Sequence, residues 1–423
     1  MQLRLLALLL ISFSLMFAQE DEELHEMMTG SDTLTVKKAV TIAHINNPLL
    51  KQLNERINAK KGEFWSSTGI HSPSLLLMKE GIPDNNSTGF SEKRWTISQS
   101  IDFPLKSYFR LKRIGKEEDA LQLLLRSEEL RIKSEVKKSY TEIIYALDIL
   151  KLRREALEIT KTLANSAKAR VETGQASELE SMNAEILNAE AQNDYADASR
   201  MLNKARYNLF NVMGLDPDEQ KYSIMFTDSL TYVDFYVSQK EILEQLETQP
   251  GYLSVASESD AASFGKYEAW NSILPDISFS YYKQNFLGKY DHYGVELGLK
   301  IPLWFMFGQR GKIESATAYH NEIEWKKKET MLEYKKQIEH AWHSYETSKS
   351  TIKRYINLIS VKANDLQSLT LEAYKVGQAD LLTLLNAQRT YINSRIRYLD
   401  ALKDYYEQMI ELEKYLQKDV VFK

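Results

Sequence analysis

The chain of 423 residues contains no cysteine, and it has only 8 prolines and 16 glycines. Without cysteine it can form neither a disulfide nor the lipid-modified N-terminal cysteine that anchors some exported proteins. Proline and glycine interrupt regular structure, so their scarcity over this length predicts long, continuous elements. No segment has the composition of a flexible linker, which argues against a string of small independent domains.

The chain also lacks a strong charge of one sign and long apolar runs. Its formal net charge is -5, and basic residues alternate with acidic ones along helical stretches, so we expect no nucleic-acid partner. Beyond the N-terminus no stretch reaches 18 uninterrupted apolar residues, which excludes an ordinary transmembrane helix. Motifs for phosphate binding, nucleophilic catalysis and zinc hydrolysis are absent, so we predict a protein that is not an enzyme and needs no cofactor.

Residues 1–18 are predicted to form a signal peptide. Arg4 precedes an apolar run from Leu5 to Phe17, and Ala18-Gln19 is followed by acidic residues. The run is too short to span a bilayer and is typical of a secretory signal, which we expect to be cleaved after Ala18. An uncleaved anchor and a buried N-terminal helix are the alternatives.

What the chain does contain is an internal repeat with a spacing of roughly 200 residues. The paired landmarks are Asn47-Pro48 with Gln249-Pro250, Pro73-Ser74-Leu75 with Pro275-Asp276-Ile277, Phe103-Pro104-Leu105 with Ile301-Pro302-Leu303, and Gly174-Gln175-Ala176 with Gly377-Gln378-Ala379. A repeat of this length indicates a duplicated structural unit. We therefore predict a first repeat at 19–216, an intermediate connector at 217–240 and a second repeat at 241–423.

Each repeat is predicted to contain a hairpin of two long helices, at about 105–213 and about 304–417. Gly174 and Gly377 suit the left-handed position at a helix C-terminus, where the chain would turn back. Apolar residues follow coiled-coil spacing in the return helices, and small residues recur every seventh position, which lets helices approach closely. These small residues are Ala184, Ala191, Ala198, Ala387, Ser394 and Ala401. The pattern alone fits an exported coiled-coil scaffold equally well.

Two pairs of strands are predicted, at about 73–80 and 94–104 in the first repeat and at about 275–285 and 292–302 in the second. Apolar and polar residues alternate over the length of a tilted membrane strand, although a water-facing sheet would alternate in the same way. Four strands are too few to close a barrel in lipid, so a barrel would have to be shared between subunits. The polar side chains that we expect to line its lumen are Thr96, Ser98, Ser100, Asp102, Glu296 and Lys300.

With these features the chain resembles the TolC-like outer membrane efflux protein family. The residues that carry the resemblance are Asn47-Pro48, Leu299-Lys300-Ile301-Pro302-Leu303, Gly308-Gln309-Arg310-Gly311, and Gly377 followed by Leu382 and Leu384-Leu385-Asn386-Ala387-Gln388-Arg389. The likeness covers residues 32–417. It implies a mainly helical fold in which coiled-coil hairpins form a periplasmic α-barrel. It also implies that each subunit of a trimer contributes four strands to a shared 12-stranded membrane β-barrel.

The resemblance further implies a passive homotrimeric channel in the cell outer membrane, with a long periplasmic extension. Such a channel serves a tripartite efflux or type I secretion system that exports small molecules, ions or polypeptides. Its expected partners are a periplasmic adaptor protein, an inner-membrane pump of the RND or ABC type, and outer membrane lipid. The adaptor would dock on the hairpin tips, which are Gly174, Gln175, Ala176, Gly377, Gln378 and Ala379.

A periplasmic constriction is expected near the second tip. The family motif commonly has aspartate where this chain has Asn386, and Asp380 is the nearest carboxylate after Gly377. Asp380 and Asn386 are therefore the candidates, since a threefold axis would bring three copies of each together. The alternative for Asp380 is a helix-capping role. The only close histidine pair, at positions 340 and 343, lacks the further ligands of a metal site, so we expect no metal there.

Overall fold

The structure is a computed structural model that describes residues 33–82, 89–174, 176–216, 224–286, 290–376 and 378–422. The predicted signal peptide and the tip residues Gln175 and Gly377 lie outside the described residues. The fold is mainly helical, which confirms this part of the predicted fold class. It divides into two compact units: Met1–Leu50, Glu129–Ile242 and Ile338–Lys423 form the first, and Lys51–Glu128 and Leu243–Gln337 form the second.

The described helices are α1 (Val36–Asn46), α2 (Pro48–Ser66), α3 (Pro104–Glu172), α4 (Glu178–Met213), α5 (Gln239–Leu243), α6 (Pro250–Asn271), α7 (Gly308–Arg354), α8 (Ser360–Lys375) and α9 (Leu381–Leu416). A 3-10 turn at Leu246–Thr248 precedes α6, and a π-helical turn at Tyr355–Ile359 joins α7 to α8. The strands are β1 (Thr33–Leu34), β2 (Ser74–Glu80), β3 (Glu92–Ile101), β4 (Met225–Phe226), β5 (Asp276–Phe286) and β6 (Tyr290–Lys300).

Proline and glycine mark where several helices begin and end. A proline at the first helical position loses nothing, because the N–H of that position has no partner inside the helix. Three helices begin in this way, at Pro48, Pro104 and Pro250. Helix α4 ends at Gly214, whose φ is 75°. A Cβ atom at Gly214 would lie 2.6 Å from the backbone oxygen of Asn46, so only glycine fits this close approach.

The first unit packs the distal parts of the long helices around buried tyrosines. The hydroxyls of three tyrosines from α3 and α9 donate to backbone oxygens: Tyr140 to Leu34 at 2.6 Å, Tyr405 to Val233 at 2.7 Å and Tyr406 to Thr231 at 2.7 Å. Residues 227–238 form no regular element, so their carbonyl groups need such partners. The bonds from Tyr405 and Tyr406 thus hold part of the predicted connector against α9.

The small residues at seven-residue spacing are buried where the helices approach one another. Ala184 and Ala198 are each 3 % exposed, and Ala184 forms a core cluster with Ala164 and Ala167. The corresponding residues Ala387, Ser394 and Ala401 of α9 are buried as well. Small side chains thus allow the close helix packing that the coiled-coil pattern predicted.

The second unit contains an antiparallel sheet with the strand order β2-β3-β5-β6. The strands of each hairpin are neighbours, and β3 and β5 pair at the centre of the sheet. Helix segments from α2, α3, α6 and α7 belong to the same unit. The sheet and the adjoining helix ends therefore lie within one unit.

Candidate functional site

One face of the sheet is apolar and exposed. The register aligns Leu75, Ile97, Tyr281 and Val295 in one row across all four strands. Val295 is 68 % exposed, and Leu297, two residues further along β6, is 75 % exposed. Contiguous apolar side chains on a protein surface indicate a face that contacts lipid or another protein. The alternation predicted from the sequence therefore produces an uncovered apolar face in the folded unit.

The opposite face of the sheet is polar. Ser98 lies beside Ser280, which lies beside Glu296, and the two serine hydroxyl oxygens are 2.8 Å apart. Side chains two residues apart point to the same face of a strand. The same face therefore also carries Thr96, Ser100 and Lys300. The structure thus brings five of the six residues predicted to line a lumen onto one surface.

Asp102, the sixth of these residues, lies beyond the strand. β3 ends at Ile101, because Pro104 begins α3 only three residues later. The Asp102 carboxylate accepts hydrogen bonds from His71 at 2.8 Å and from Arg110 at 2.7 Å. Its contacts are therefore with the start of α3 and with the segment before β2.

Both edges of the sheet are open within the described residues. β2 and β6 each pair with a neighbouring strand on one side only. An unpaired edge presents backbone N–H and C=O groups that can add another strand. The sheet is therefore able to continue into a second chain at either edge.

A cleft of about 1300 Å³ opens in the second unit, where the ends of the strands meet α2, α3, α6 and α7. A network of ion pairs crosses its wall. Arg110 donates to Asp102 and, at 2.8 Å, to Glu268 of α6. Arg113 donates to the same Glu268 at 3.0 Å and to Glu117 at 2.7 Å. One glutamate of α6 is thus held by two arginines of α3.

The charges of this network are stabilised by their partners. Burial raises the pKa of Glu117, but hydrogen bonds from Lys60 and Arg113 outweigh it and hold this pKa below its usual value. Burial lowers the pKa of Arg110, but its hydrogen bonds to Glu268 and Asp102 outweigh burial and hold this pKa above its usual value. The network therefore remains ionised at neutral pH and fixes the helices that frame the cleft.

Two of the residues predicted to line a lumen, Asp102 and Lys300, also line the cleft. The alternating pattern that predicted them did not indicate the ion-pair network. Arg110, Arg113 and Glu117 follow helical spacing and predict one charged face. Nothing in the spacing indicates Glu268, which is 155 residues from Arg113.

The described parts of the hairpin tips are largely exposed. Gly174 lies in the turn after the first long helix with a φ of 70°, and a Cβ atom there would meet nothing within 4 Å. Ala176 and Ala379 are partly exposed, and Gln378 is exposed. The glycine is therefore required by the backbone conformation of the turn and not by crowding.

Asp380 is the N-cap of α9. Its carboxylate accepts a hydrogen bond of 2.8 Å from the backbone N–H of Thr383. Hydrogen bonding to the side chain of Thr383, and secondly to its backbone, holds the pKa of Asp380 below the usual value. The capping role considered from the sequence is thus present in the structure. Asn386 is exposed on α9, and its side chain forms no hydrogen bond with another described residue. Its backbone oxygen accepts from the Thr390 hydroxyl at 2.8 Å.

Two further features bear on function. His340 and His343 are both exposed on α7, and across the described part of the chain no three histidine, aspartate or glutamate side chains come together as metal ligands. Among the described helices, none combines the length and apolar character needed to cross a membrane.

Comparison with known proteins places these features in a family. The model of the outer membrane efflux protein family matches residues 41–215 and 261–417. The cobalt-zinc-cadmium resistance protein CzcC of Cupriavidus metallidurans is 21 % identical over 386 residues, which is 90 % of each chain.

Solved structures share the fold. The CmeC outer membrane channel of Campylobacter jejuni aligns with a TM-score of 0.78 at 16 % identity, covering 90 % of this chain and 85 % of that one. The outer membrane protein VceC of Vibrio cholerae aligns with a TM-score of 0.77 at 15 % identity, covering 90 % and 95 %. Since the family model matches most of its length, this chain belongs to the outer membrane efflux protein family, whose members are TolC-like channels.

Proposed function

We propose that this chain is the outer membrane channel of a tripartite efflux or type I secretion system. It acts as a passive homotrimeric duct that leads from a periplasm-spanning pump to the exterior. The observation that carries this proposal is the sheet of the second unit, which has an exposed apolar face, a polar opposite face and two open edges.

The two faces suit a wall between lipid and water. Apolar side chains such as Val295 and Leu297 would contact the acyl chains, while the row of Ser98, Ser280 and Glu296 would face a water-filled lumen. In this arrangement Thr96, Ser100, Lys300 and Asp102 also belong to the inner surface or its rim. A barrel wall in which polar and apolar residues alternate has this distribution.

In the proposed channel, further copies of the chain pair with the open edges of the sheet. Backbone groups left unpaired in lipid are costly, so membrane-spanning sheets close on themselves. Three copies of the four-stranded sheet would give 12 strands, which is enough for a closed barrel. Trimer formation thus satisfies the edges of β2 and β6 without any additional strand.

The helical hairpins extend the duct into the periplasm and present their tips to an adaptor protein. Gly174, Gln175, Ala176, Gly377, Gln378 and Ala379 form the proposed docking tips, and an inner-membrane pump of the RND or ABC type delivers the cargo. Asp380 and Asn386 are the proposed constriction residues, and for Asp380 that role adds to its capping of α9. The name of the Cupriavidus relative refers to cobalt, zinc and cadmium. We assign cargo selection to the pump and not to this chain.

Planar-bilayer recording tests the proposal, with two variants of adjacent residues as a matched pair. Leu297→Arg places a charge on the proposed lipid face, where it costs about 2–4 kcal/mol per subunit at mid-membrane. Glu296→Arg makes the same side chain on the proposed lumen face. We expect discrete channel openings from the unaltered protein and from Glu296→Arg, and a severe loss of inserted channels for Leu297→Arg.

The same recordings separate the duct from an exported coiled-coil scaffold. A scaffold would be soluble without detergent and electrically silent, and the two variants would behave alike. That combination would contradict the proposed function.

A further inference from the structure

The cleft of the second unit has an uneven distribution of paired and unpaired charge. Its acidic side chains are all held in ion pairs: Glu63, Asp102, Glu117, Glu258, Glu268 and Asp276. By contrast, Arg56, Lys300 and Lys312 line the same cleft and form no ion pair with any described residue. The charge left without a partner is therefore entirely positive.

The pairing around Lys300 shows how this excess arises. Lys300 lies opposite Asp276 in the register of β5 and β6. The Asp276 carboxylate instead forms an ion pair with Lys106 of α3, whose Nζ lies 2.7 Å from the carboxylate oxygen. Seven basic and six acidic side chains line the cleft in total, so its net charge is also positive.

Apolar surface adjoins these unpaired cations. Trp304 follows β6, lines the cleft and is 76 % exposed, and Tyr319 of α7 lines it with 51 % of its surface exposed. Arg56 comes from α2, Lys300 from the end of β6 and Lys312 from α7, so three different elements contribute a cation. Ring faces beside positive groups suit a ligand with a flat apolar body and more than one negative charge.

We propose that this cleft binds soluble organic anions that carry at least two negative charges, of the carboxylate, phosphate or sulfonate class. The cations attract the charged groups, and the exposed aromatic side chains receive the apolar body. The ion-pair network around Arg110 keeps the carboxylates of the cleft from repelling the ligand. This binding concerns the folded protein in solution and does not require that the channel conducts.

The probe is pyranine, a pyrene that carries three sulfonates, titrated against the full-length protein in non-ionic detergent. Fluorescence anisotropy gives the dissociation constant at about 20 mM and about 1 M salt, since salt screens exposed charges. We expect saturable binding at low salt that weakens at least about tenfold at high salt. The double variant Lys300→Glu/Lys312→Glu should weaken binding by about tenfold or more at low salt.

Two further proteins control the titration. Lys335 also lies on α7 but does not line the cleft. The Lys335→Glu variant makes the same change of charge there, so its dissociation constant for pyranine should stay within about twofold of that of the unaltered protein. Lys300→Gln/Lys312→Gln removes the two positive charges without adding negative ones, so it should weaken binding by an intermediate factor. This variant keeps the test valid if the double glutamate variant misfolds.

Three outcomes would overturn the proposal. The first is an unaltered protein that does not bind pyranine at low salt, and the second is an equal loss of binding in Lys335→Glu and the cleft variants. The third concerns the source of the anion. Displacement of pyranine by the short-chain lipid dihexanoyl phosphatidylglycerol but not by the soluble anion benzene-1,3,5-tricarboxylate would assign the cleft to a lipid headgroup.

Discussion

At the scale of single residues, the first hairpin tip depends on one glycine. Gly174 has a φ of 70°, a conformation that costs a residue with a Cβ atom about 1–2 kcal/mol. Because the space around it is open, a larger side chain changes only the backbone preference. We expect Gly174→Val to reshape the tip and reduce efflux-dependent resistance several-fold in cells, with trimer yield unchanged.

The matched control for this change is Gly174→Asn. Asparagine also adds a side chain, but it tolerates the left-handed conformation better than other residues. It should keep most of the resistance. Equal resistance in all three strains would show that the tip does not couple to the pump, and a parallel loss of trimer would indicate a role in assembly.

Residue roles were predictable from the sequence where the neighbours are local. The capping of α9 by Asp380 follows from its position just before the helix, because its partner is the backbone of Thr383 three residues away. Lys137 is a contrasting case. It is 3 % exposed and pairs with Glu413 at 2.6 Å, and the two residues are 276 positions apart. No periodicity along one helix could have indicated that pair.

At the scale of elements, the sheet was predictable in kind and less so in its bounds. Alternation identified four strands, because a strand with one apolar face must repeat every second residue. The strand predicted at 94–104 is found at Glu92–Ile101. The C-terminal end of the strand differs because Pro104 starts a helix, so residues 102 and 103 no longer pair with the neighbouring strand. The alternation of Ser98, Ser100 and Asp102 continues past that end, so the pattern could not show it.

The two long helices that lead to the tips differ in one respect that the sequence did not indicate. α3 is continuous from Pro104 to Glu172. In the second repeat, the π turn at Tyr355–Ile359 divides the corresponding long helix into α7 and α8. None of the five residues of that turn is buried. The stretch of α3 at the same distance from its own tip includes the buried residues Leu152 and Ala156.

This difference predicts unequal local stability of the two hairpins. The reason is that a segment with few buried side chains opens locally more readily than a well-packed one, and π turns are rare interruptions of helices that frequently lie at functional sites. We expect backbone amides in 355–375 to exchange with deuterium roughly tenfold faster than those in 152–172, measured by mass spectrometry on the intact protein. Equal protection of the two stretches would mean that the π turn leaves the helix as stable as an unbroken one.

At the scale of the whole molecule, the mainly helical class could be predicted because few prolines and glycines interrupt the chain. The family could be predicted only from the motifs that carry the resemblance, above all Gly377 followed by Leu382 and Leu384-Leu385-Asn386-Ala387-Gln388-Arg389. The ion pairs that frame the cleft could not, since Arg110 and Arg113 of α3 meet Glu268 only after the chain has folded. The shared barrel rests on a further argument. Among the described residues the sheet has an apolar face and two open edges, and under the proposed function identical copies of the chain would pair with those edges.

The most direct test of the shared barrel is the native mass of the protein extracted from outer membranes in detergent. We predict a complex with the mass of three chains that remains intact in mild detergent, because β2 of one copy pairs with β6 of the next. A folded single chain in the same detergent, with its sheet edges unpaired, would contradict the account.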